Sequence, residues 1–356
     1  MPLVKAYLKG LQRTSPDIKS RKGYLRLDMN EGVQGLPEYF VREALAEADP
    51  AFLSSYPEYK ALTEKIAAHT NLEYGNICLS NGSDAAIKYI FDVYISQGDK
   101  VLLTAPTFAM YPVYCRMFDA EPVMIEYNRD MSPPTDELLR RVSRDIKMIV
   151  VVNPNNPTGS VEKEERLLEL IDKSARNDVL AVIDEAYFYF YPETLIERVK
   201  EFDNLIVLRT FSKLCSIASA RLGYAAACPE IIENLKKVKP TYDVNGFAVS
   251  LAEKILDQPF IIKSLIESVN EGKRRLIERL SAEGIEYRAG AANFILIRCY
   301  NRGEEIMRRL ADARILVNGG FGQPFLKEYI RVTIADEAAM DKFLENFIRI
   351  WKERND

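Results

Sequence analysis

Short apolar runs alternate with longer amphipathic stretches between residues 77 and 208, and this alternation restricts the fold more than any other feature of the sequence. Strands that alternate with helices require crossover connections, which build a mostly parallel sheet with helices on both faces. The sequence therefore predicts an α/β domain. The apolar runs are residues 77–79, 101–103, 148–152, 180–183 and 205–208, and amphipathic stretches include 85–95, 109–118 and 167–175.

The pattern changes after residue 248, where a long helical region of mixed charge covers about Phe260 to Glu283. Shorter strand and helix candidates follow it, which predicts a second, smaller α+β domain. The expected division is an N-terminal arm (1–35) associated with the small domain, a large domain (36–245) and a small domain (246–356). The strand candidates are 293–297, 315–317 and 330–334, and the helix candidates are 304–311 and 337–351.

Polar side chains follow three of the predicted strands at the point where each strand ends. Asn156 follows strand 148–152, Asp184 ends strand 180–183, and Ser212-Lys213 follow strand 205–208. In open α/β sheets, ligands bind beyond the carboxyl ends of the strands. We therefore expect these side chains to converge on one site.

The residue types in this set are typical of a pyridoxal phosphate site. A lysine amine, here Lys213, condenses with the cofactor aldehyde, and a carboxylate, here Asp184, keeps the pyridine nitrogen protonated. Asn156 and Tyr187 can hold the phenolate oxygen. Taken singly, these residues have ordinary alternatives: a loop lysine, a helix-capping aspartate, a turn asparagine and a packed tyrosine. Only the combination favours the cofactor.

A phosphate site is indicated where Gly82-Ser83-Asp84 opens an amphipathic run. A small-residue turn at a helix N-terminus offers free amides and the positive end of the helix dipole to an anion. Ordinary capping by Ser83 or Asp84 is the alternative. Ser212 and Arg221 add a hydroxyl and a permanent cation, so phosphate binding becomes the better interpretation.

Composition excludes several other classes of function. Lys plus Arg number 48 against 52 Asp plus Glu, so no basic surface for nucleic acid or membrane lipid is expected. A single histidine, His69, rules out histidine triads and clusters of histidine metal ligands, and no metal is expected. Gly319-Gly320-Phe321-Gly322 lacks the spacing of a dinucleotide-binding loop.

The expected location is the cytoplasm. The N-terminal sequence breaks every apolar run with charge, so no signal peptide is expected, and no stretch approaches the about 18 apolar residues of a membrane span. The five cysteines are scattered without a Cys-x-x-Cys pair, which indicates reduced thiols.

Taken together, these motifs resemble the fold-type I, class I/II aminotransferases, and within them the histidinol-phosphate aminotransferase subgroup. The resemblance extends from about Asp28 to Ala335. It implies a large domain with a seven-stranded, mostly parallel sheet and a homodimer with shared active sites. The motifs that carry it are Asn30-Glu31, Tyr56-Pro57, Pro106-Thr107-Phe108 with Tyr111, Asn156-Pro157-Thr158-Gly159, Asp184 to Tyr187, Ser212-Lys213 with Arg221, and Tyr329 to Thr333.

The resemblance also assigns roles. Lys213 would form the covalent bond to the cofactor and move the substrate proton, and Phe108 would stack on the pyridine ring. The phosphate would be held by Gly82, Ser83, Asp84, Ser212 and Arg221, together with the partner subunit's Tyr56. Arg331 would bind the substrate carboxylate, with Asn30 nearby. Ala105-Pro106 and Asn156-Pro157 are expected to be cis peptides.

One position departs from the subgroup. An arginine that grips the substrate phosphate usually stands where this chain has Asn318. An amide brings no charge, and charge-assisted contacts are roughly twice as strong as neutral ones. This departure has two interpretations. Either the substrate is not histidinol phosphate, or another cation, such as Lys327 or Arg302, contacts the substrate phosphate from a nearby loop.

The expected activity is transfer of an amino group between an amino acid, or an amino-alcohol phosphate, and a 2-oxo acid such as 2-oxoglutarate. The alternative is a decarboxylase of an amino-acid phosphate that resembles threonine-phosphate decarboxylase, since both reactions use the same cofactor residues. Which bond breaks depends on its alignment with the ring, which a sequence does not show. A regulatory cofactor sensor is less favoured, because about thirty residues before the fold leave little room for a DNA-binding domain.

Overall fold

The computed structural model describes residues 4–11 and 20–353. Its twelve strands are β1 Leu25–Leu27, β2 Ile77–Ser80, β3 Lys100–Ala105, β4 Glu121–Glu126, β5 Ile146–Val152, β6 Leu180–Asp184, β7 Leu205–Thr210, β8 Gly223–Ala227, β9 Tyr287–Ala289, β10 Phe294–Arg298, β11 Ile315–Val317 and β12 Tyr329–Thr333. Its twelve α-helices are α1 Glu38–Ala46, α2 Pro50–Ser54, α3 Lys60–His69, α4 Ser83–Tyr94, α5 Met110–Met117, α6 Thr135–Arg141, α7 Glu164–Ala175, α8 Pro229–Val238, α9 Gly246–Asp257, α10 Pro259–Ala282, α11 Gly303–Asp312 and α12 Glu337–Lys352.

Seven strands form the central sheet, in the order β2-β8-β7-β6-β5-β3-β4. Strand β8 runs antiparallel to both of its neighbours, and the other neighbouring pairs are parallel. The prediction of a mostly parallel sheet is therefore confirmed, with one reversed strand that the apolar pattern does not reveal.

Helices cover both faces of this sheet. The almost continuously apolar sequence of strand β5 follows from this burial on both sides. Ile149 and Val151 face one apolar core, whereas Met148, Val150 and Val152 face the other. Since successive side chains of a strand point to opposite faces, a strand buried on both sides needs an apolar residue at every position.

Helix α7 illustrates how the amphipathic stretches pack on the sheet. Its buried side chains recur at the three- and four-residue spacing of one helix face, at Leu167, Leu170, Ile171 and Ser174. Glu164 and Glu165 occupy the first turn, where negative charge stabilises the positive end of the helix dipole. The remaining face is free to carry charge.

A second unit contains the antiparallel sheet β12-β10-β9 and the parallel pair β1-β11. Because Leu25 to Leu27 pair with Ile315 to Val317, the N-terminal segment joins this unit. Helix α9 instead packs its buried residues, Ala248 and Ala252 among them, into the larger core. The division at residues 35 and 245 stays a prediction.

The register of the large sheet aligns the strand ends expected to carry the site. Val152 lies opposite Asp184, and Asp184 lies opposite Leu208, so strands β5, β6 and β7 end at the same edge. Both peptide bonds expected to be cis are cis, and Asn153-Pro154 is cis as well. None of the helices among residues 4–11 and 20–353 has the length and hydropathy of a membrane-spanning segment.

Candidate active site

Lys213 follows strand β7 and is half-buried at the carboxyl edge of the sheet. Its Nζ atom donates a hydrogen bond to the backbone oxygen of Met29 at 3.0 Å. Burial lowers the pKa of Lys213 to about 8, and the positive charges of Arg331 and Arg221 act in the same direction. The amine is therefore far more often neutral, and nucleophilic, than a surface lysine.

Asp184 ends strand β6 with only 2% of its surface exposed. Its Oδ2 atom accepts a hydrogen bond from the Tyr111 hydroxyl at 2.8 Å, and its Oδ1 atom accepts one from the Ala186 amide at 3.1 Å. Burial raises the pKa of Asp184 to about 6, against the opposite effect of these two donors and of Lys213. Sequence reasoning gave Tyr111 no role at Asp184; the available signal was a tyrosine at the start of the helix that follows Phe108.

Tyr187 is 3% exposed and lies in the loop that follows strand β6, three residues after Asp184. Its hydroxyl accepts a hydrogen bond from Nδ2 of Asn30 at 2.8 Å. Burial raises the pKa of Tyr187, whereas Arg331, Asn30 and Asn156 each act to lower it. The Tyr187 oxygen therefore lies among donors and positive charge.

Asn30 is itself 1% exposed, and both ends of its side chain contact protein. Besides Tyr187, it meets the hydroxyl of Thr333, which also accepts from the Asn30 backbone amide at 3.0 Å. Its backbone oxygen accepts from Asn293 at 3.1 Å. The structure thus shows Asn30 hydrogen-bonded to the phenol of Tyr187. The predicted contact of Asn30 with substrate stays a prediction.

Arg331 projects from strand β12 into the same cluster and is 6% exposed. Its Nη1 atom donates to Oδ1 of Asn156, and its Nη2 atom donates to the backbone oxygen of Asp28 at 2.7 Å. Burial lowers the pKa of Arg331. Its Nε atom is buried without a partner among the described residues.

Asn318 pairs with Arg331 in an isolated antiparallel β-bridge. The two residues exchange backbone hydrogen bonds of 3.0 and 2.7 Å, and the Asn318 side chain donates to the Asp28 oxygen at 3.3 Å. A side chain at position 318 therefore stands beside the Arg331 guanidinium.

The predicted phosphate residues form a cradle between the start of helix α4 and strand β8. Gly82 has a φ of +76°, and a Cβ atom there would lie 2.5 Å from Nη2 of Arg221. A Cβ atom on Gly223 would lie 2.4 Å from the Ser83 amide nitrogen. Both glycines are therefore required for this close approach. Ser212 is 7% exposed, with its hydroxyl 3.0 Å from that of Thr210.

The Asp84 carboxylate has a partner of its own, because its Oδ1 atom accepts from the Tyr114 hydroxyl at 3.1 Å. Only the backbone amide of Asp84, at the start of helix α4, can therefore face an anion. Phe108 is half-buried in the loop after strand β3, with its ring edge-on to Tyr111 at 6.2 Å.

Tyr56 differs from the buried members of the predicted set. It is 74% exposed, and its ring stacks on Tyr242 at 4.2 Å between centroids. Within this single chain, no hydrogen bond described for Tyr56 joins it to Lys213 or Arg221. The remaining predicted residues lie at the carboxyl edge of the sheet or on the second unit facing it.

These residues fit a pyridoxal phosphate. The Asp184 carboxylate and the Lys213 amine face each other closely enough to perturb each other's pKa. The Arg221 guanidinium packs directly on Gly82, 2.5 Å from where a Cβ atom would stand, so it lies beside the first amides of helix α4, where an anion would bind. Two buried polar atoms, Oγ1 of Thr107 and Nε of Arg331, have no partner in the described residues and leave hydrogen-bonding capacity for a ligand.

Comparison with known proteins identifies the family. The family model described as "Aminotransferase class I and II" matches residues 24–347. Histidinol-phosphate aminotransferase of Caldanaerobacter subterraneus subsp. tengcongensis is 33% identical over 327 residues, 91% of this chain and 92% of that protein.

Two solved structures share the fold. Histidinol-phosphate aminotransferase from Sinorhizobium meliloti, in complex with pyridoxal-5'-phosphate, has 24% identity and a TM-score of 0.84, covering 91% of this chain and 90% of that one. The enzyme from Clostridium acetobutylicum has 23% identity and a TM-score of 0.83, covering 92% and 98%. With the family model and the curated relative in agreement, the chain belongs to the class I and II aminotransferases and is a pyridoxal phosphate-dependent enzyme of fold type I.

Proposed function

We propose that this aminotransferase is of the histidinol-phosphate type and transfers an amino group between an amino acid, or an amino-alcohol phosphate, and a 2-oxo acid such as 2-oxoglutarate. The observation that carries the proposal is the state of Arg331. Its guanidinium is 6% exposed, yet its described partners are a backbone oxygen and an amide oxygen, both neutral. Among the described residues, the carboxylate that acts on it is that of Asp28, which is itself paired with Arg21. A buried charge without a carboxylate of its own is costly, so this site favours a ligand that brings a carboxylate or a phosphate.

The other residues take roles that follow from their positions. Lys213 would attack the cofactor aldehyde and later carry the proton at the substrate carbon. Asp184 would hold a proton on the pyridine nitrogen, which lets the bound cofactor act as an electron sink. Asn156 and Tyr187 would hold the phenolate oxygen, and Phe108 would cover the ring. The phosphate would be held by the backbone amides from Gly82 to Asp84, by Ser212 and by Arg221.

The proposal is tested by mixing the reconstituted enzyme with glutamate and recording the absorbance of the lysine-bound cofactor. We expect that band to convert to the amine form of the cofactor and to return on addition of 2-oxoglutarate. A panel of donors that includes histidinol phosphate, phosphoserine and aromatic amino acids then ranks the substrates. Release of carbon dioxide without any need for a 2-oxo acid would contradict the proposal and identify a decarboxylase.

We also propose a homodimer in which each subunit contributes Tyr56 to its partner's site. Several large apolar side chains are exposed next to each other around helices α2 and α9. Phe52 contacts Phe247, and Tyr56 stacks on Tyr242, beside an open groove of about 790 Å³. Apolar clusters of this kind mark protein interfaces. Their exposed fractions are 64% for Leu53, 74% for Tyr56, 51% for Tyr242 and 37% for Phe247.

Subunit complementation tests the shared site. Lys213→Ala and Tyr56→Ala subunits should each be defective, but a mixed dimer holds one site with both native residues, so activity should return on mixing. The matched control pairs Lys213→Ala with Asp184→Asn. Both residues belong to the same subunit's site, and no mixed dimer then has an intact one. Equal recovery in both mixtures, or a monomer in light scattering, would overturn the shared site.

For the location, we propose the cytoplasm. All five cysteines are buried free thiols, and burial raises the pKa of Cys78 to about 11 and that of Cys215 to about 12. Such thiols suit a reducing compartment. Fractionation of cells with an antibody to the chain would test this, and recovery outside the cytoplasmic fraction would contradict it.

A further inference from the structure

Helix α5 brings two tyrosine hydroxyls to two different acidic residues of the site. Tyr111, in its first turn, donates to Oδ2 of Asp184 at 2.8 Å. Tyr114, one turn later, donates to Oδ1 and to the backbone oxygen of Asp84, both at 3.1 Å. Residues three apart on a helix share a face. One face of helix α5 therefore contacts both Asp184, at the end of strand β6, and Asp84, at the start of helix α4.

Tyr111 has the surroundings of a permanent hydrogen-bond donor. It is 1% exposed, and burial together with the negative charge of Asp184 raises its pKa well above the ordinary value. Asp84 adds to that effect from helix α4. The phenol therefore keeps its proton and can only donate to the Asp184 carboxylate.

The groups that face Asp184 act in opposite directions. Burial raises its pKa, and the neighbouring carboxylate of Glu185 acts in the same direction. The Tyr111 hydroxyl, the Ala186 amide and the Lys213 amine act to lower it. The phenol of Tyr187 also lies within the field of Asp184. Among the groups that lower the Asp184 pKa, the Tyr111 hydroxyl has the largest effect.

We propose that Tyr111 is a positioning residue for the aminotransferase reaction, which holds the Asp184 carboxylate ionised and fixed toward the cofactor. The inference rests on the role proposed for Asp184. An ionised carboxylate keeps a proton on the pyridine nitrogen, whereas a protonated one cannot. The hydroxyl contributes without touching substrate or cofactor, because its partner is the carboxylate itself. Loss of the Tyr111 hydroxyl should therefore change the pH at which Asp184 titrates as well as the turnover rate.

The test is Tyr111→Phe, which keeps the ring, its burial and its edge contact with Phe108 but removes the hydroxyl. A hydrogen bond to a charged group corresponds to a shift of about one to two pH units. In the apoprotein, the infrared carbonyl band of protonated Asp184, assigned by its loss in Asp184→Asn, should persist to a pH higher by that amount. The acidic limb of the kcat profile should move in the same direction.

Tyr114→Phe is the matched control, since it removes a hydroxyl from the same helix but from Asp84, and it should leave the Asp184 titration in place. Tyr111→Phe should add no further slowing in the Asp184→Asn background, because residues acting through one contact are non-additive. An unmoved Asp184 titration in a variant that melts like the parent would overturn the proposal, as would equal slowing with and without Asp184. Should Tyr111→Phe not fold, NMR of ring-labelled tyrosine in the parent gives a second, residue-specific measurement: a Tyr111 ring signal that titrates below about pH 10 would refute a permanent donor. If Asp184→Asn retained a normal rate, the role of Asp184 would fail while the titration still reported on Tyr111.

Discussion

The side-chain amide of Asn30 donates a hydrogen bond to the hydroxyl of Tyr187 at 2.8 Å, across 157 residues of sequence. Both residues are almost fully buried, at 1% and 3% exposure. The contact joins the N-terminal segment to the loop after strand β6, and Thr333 extends it to strand β12. Hydrogen bonds at the carboxyl edge of the sheet therefore join residues from three distant parts of the chain.

Tyr187→Phe should destabilise the protein as well as slow it. Removing the hydroxyl leaves the buried Nδ2 atom of Asn30 without its acceptor, which costs about 1 to 3 kcal/mol. Urea unfolding of the apoprotein measures this loss. Tyr39→Phe, at a tyrosine that is 50% exposed, should change the free energy of unfolding by less than about 0.5 kcal/mol. Equal effects of the two substitutions would show that the Asn30 contact contributes nothing.

The rate at which the apoprotein combines with pyridoxal phosphate should rise with pH and level off above about 8, the pKa of Lys213. Below that pH the amine is protonated and cannot attack an aldehyde; above it the amine is neutral. Stopped-flow absorbance at a series of pH values measures the midpoint. Because Arg331 helps to lower this pKa, Arg331→Leu should move the midpoint upward. A midpoint near the ordinary lysine value of 10.5 would contradict the prediction.

Asp184→Asn should retain the fold and bind the cofactor, yet slow turnover by orders of magnitude. An amide of the same size still accepts from the Ala186 amide, but it cannot keep a proton on the pyridine nitrogen. Turnover with glutamate and the cofactor dissociation constant separate the two effects. Near-parental turnover in this variant would refute the role proposed for Asp184.

The sequence was sufficient to predict five of the sheet's strands and the edge at which their polar residues meet. Residues 148–152 are apolar at every position because they face two cores, and that continuous pattern marks a buried parallel strand. The order of the strands then brings Asp184 and Lys213 to one edge. These predictions depend on local periodicity and on a general rule about parallel sheets.

The contacts between distant side chains could not be predicted in the same way. The hydrogen bond from Tyr111 to Asp184 joins residues 73 positions apart, and it depends on how helix α5 packs on the sheet. Strand β8 reads as an ordinary small-residue run, although it runs antiparallel to its neighbours. Helix α9 packs on the larger core although it follows the predicted boundary, because packing and not pattern decides which core accepts an apolar face.

The structure argues against Arg302, one of the two sources of charge that the sequence left open near the substrate, and leaves Lys327 as the other. Arg302 is bound to Glu305, and its remaining donors meet the backbone oxygens of Ile350 and Trp351 at 3.0 Å. Its guanidinium therefore caps the end of helix α12 and is not available to a substrate phosphate. Asn318, in contrast, stands beside Arg331 through the backbone pair between them.

Asn318→Arg should improve the use of histidinol phosphate, because it places a second cation next to Arg331. A charge-assisted contact of about 1.5 to 3 kcal/mol corresponds to roughly a ten- to hundredfold gain in kcat/KM. Asn318→Gln is the matched control, since it lengthens the side chain without adding charge and should give no such gain. The ratio of kcat/KM for histidinol phosphate to that for an uncharged-side-chain amino acid isolates the effect from general changes in activity. Efficient histidinol phosphate turnover by the parent enzyme, with no further gain in Asn318→Arg, would show that position 318 does not determine specificity.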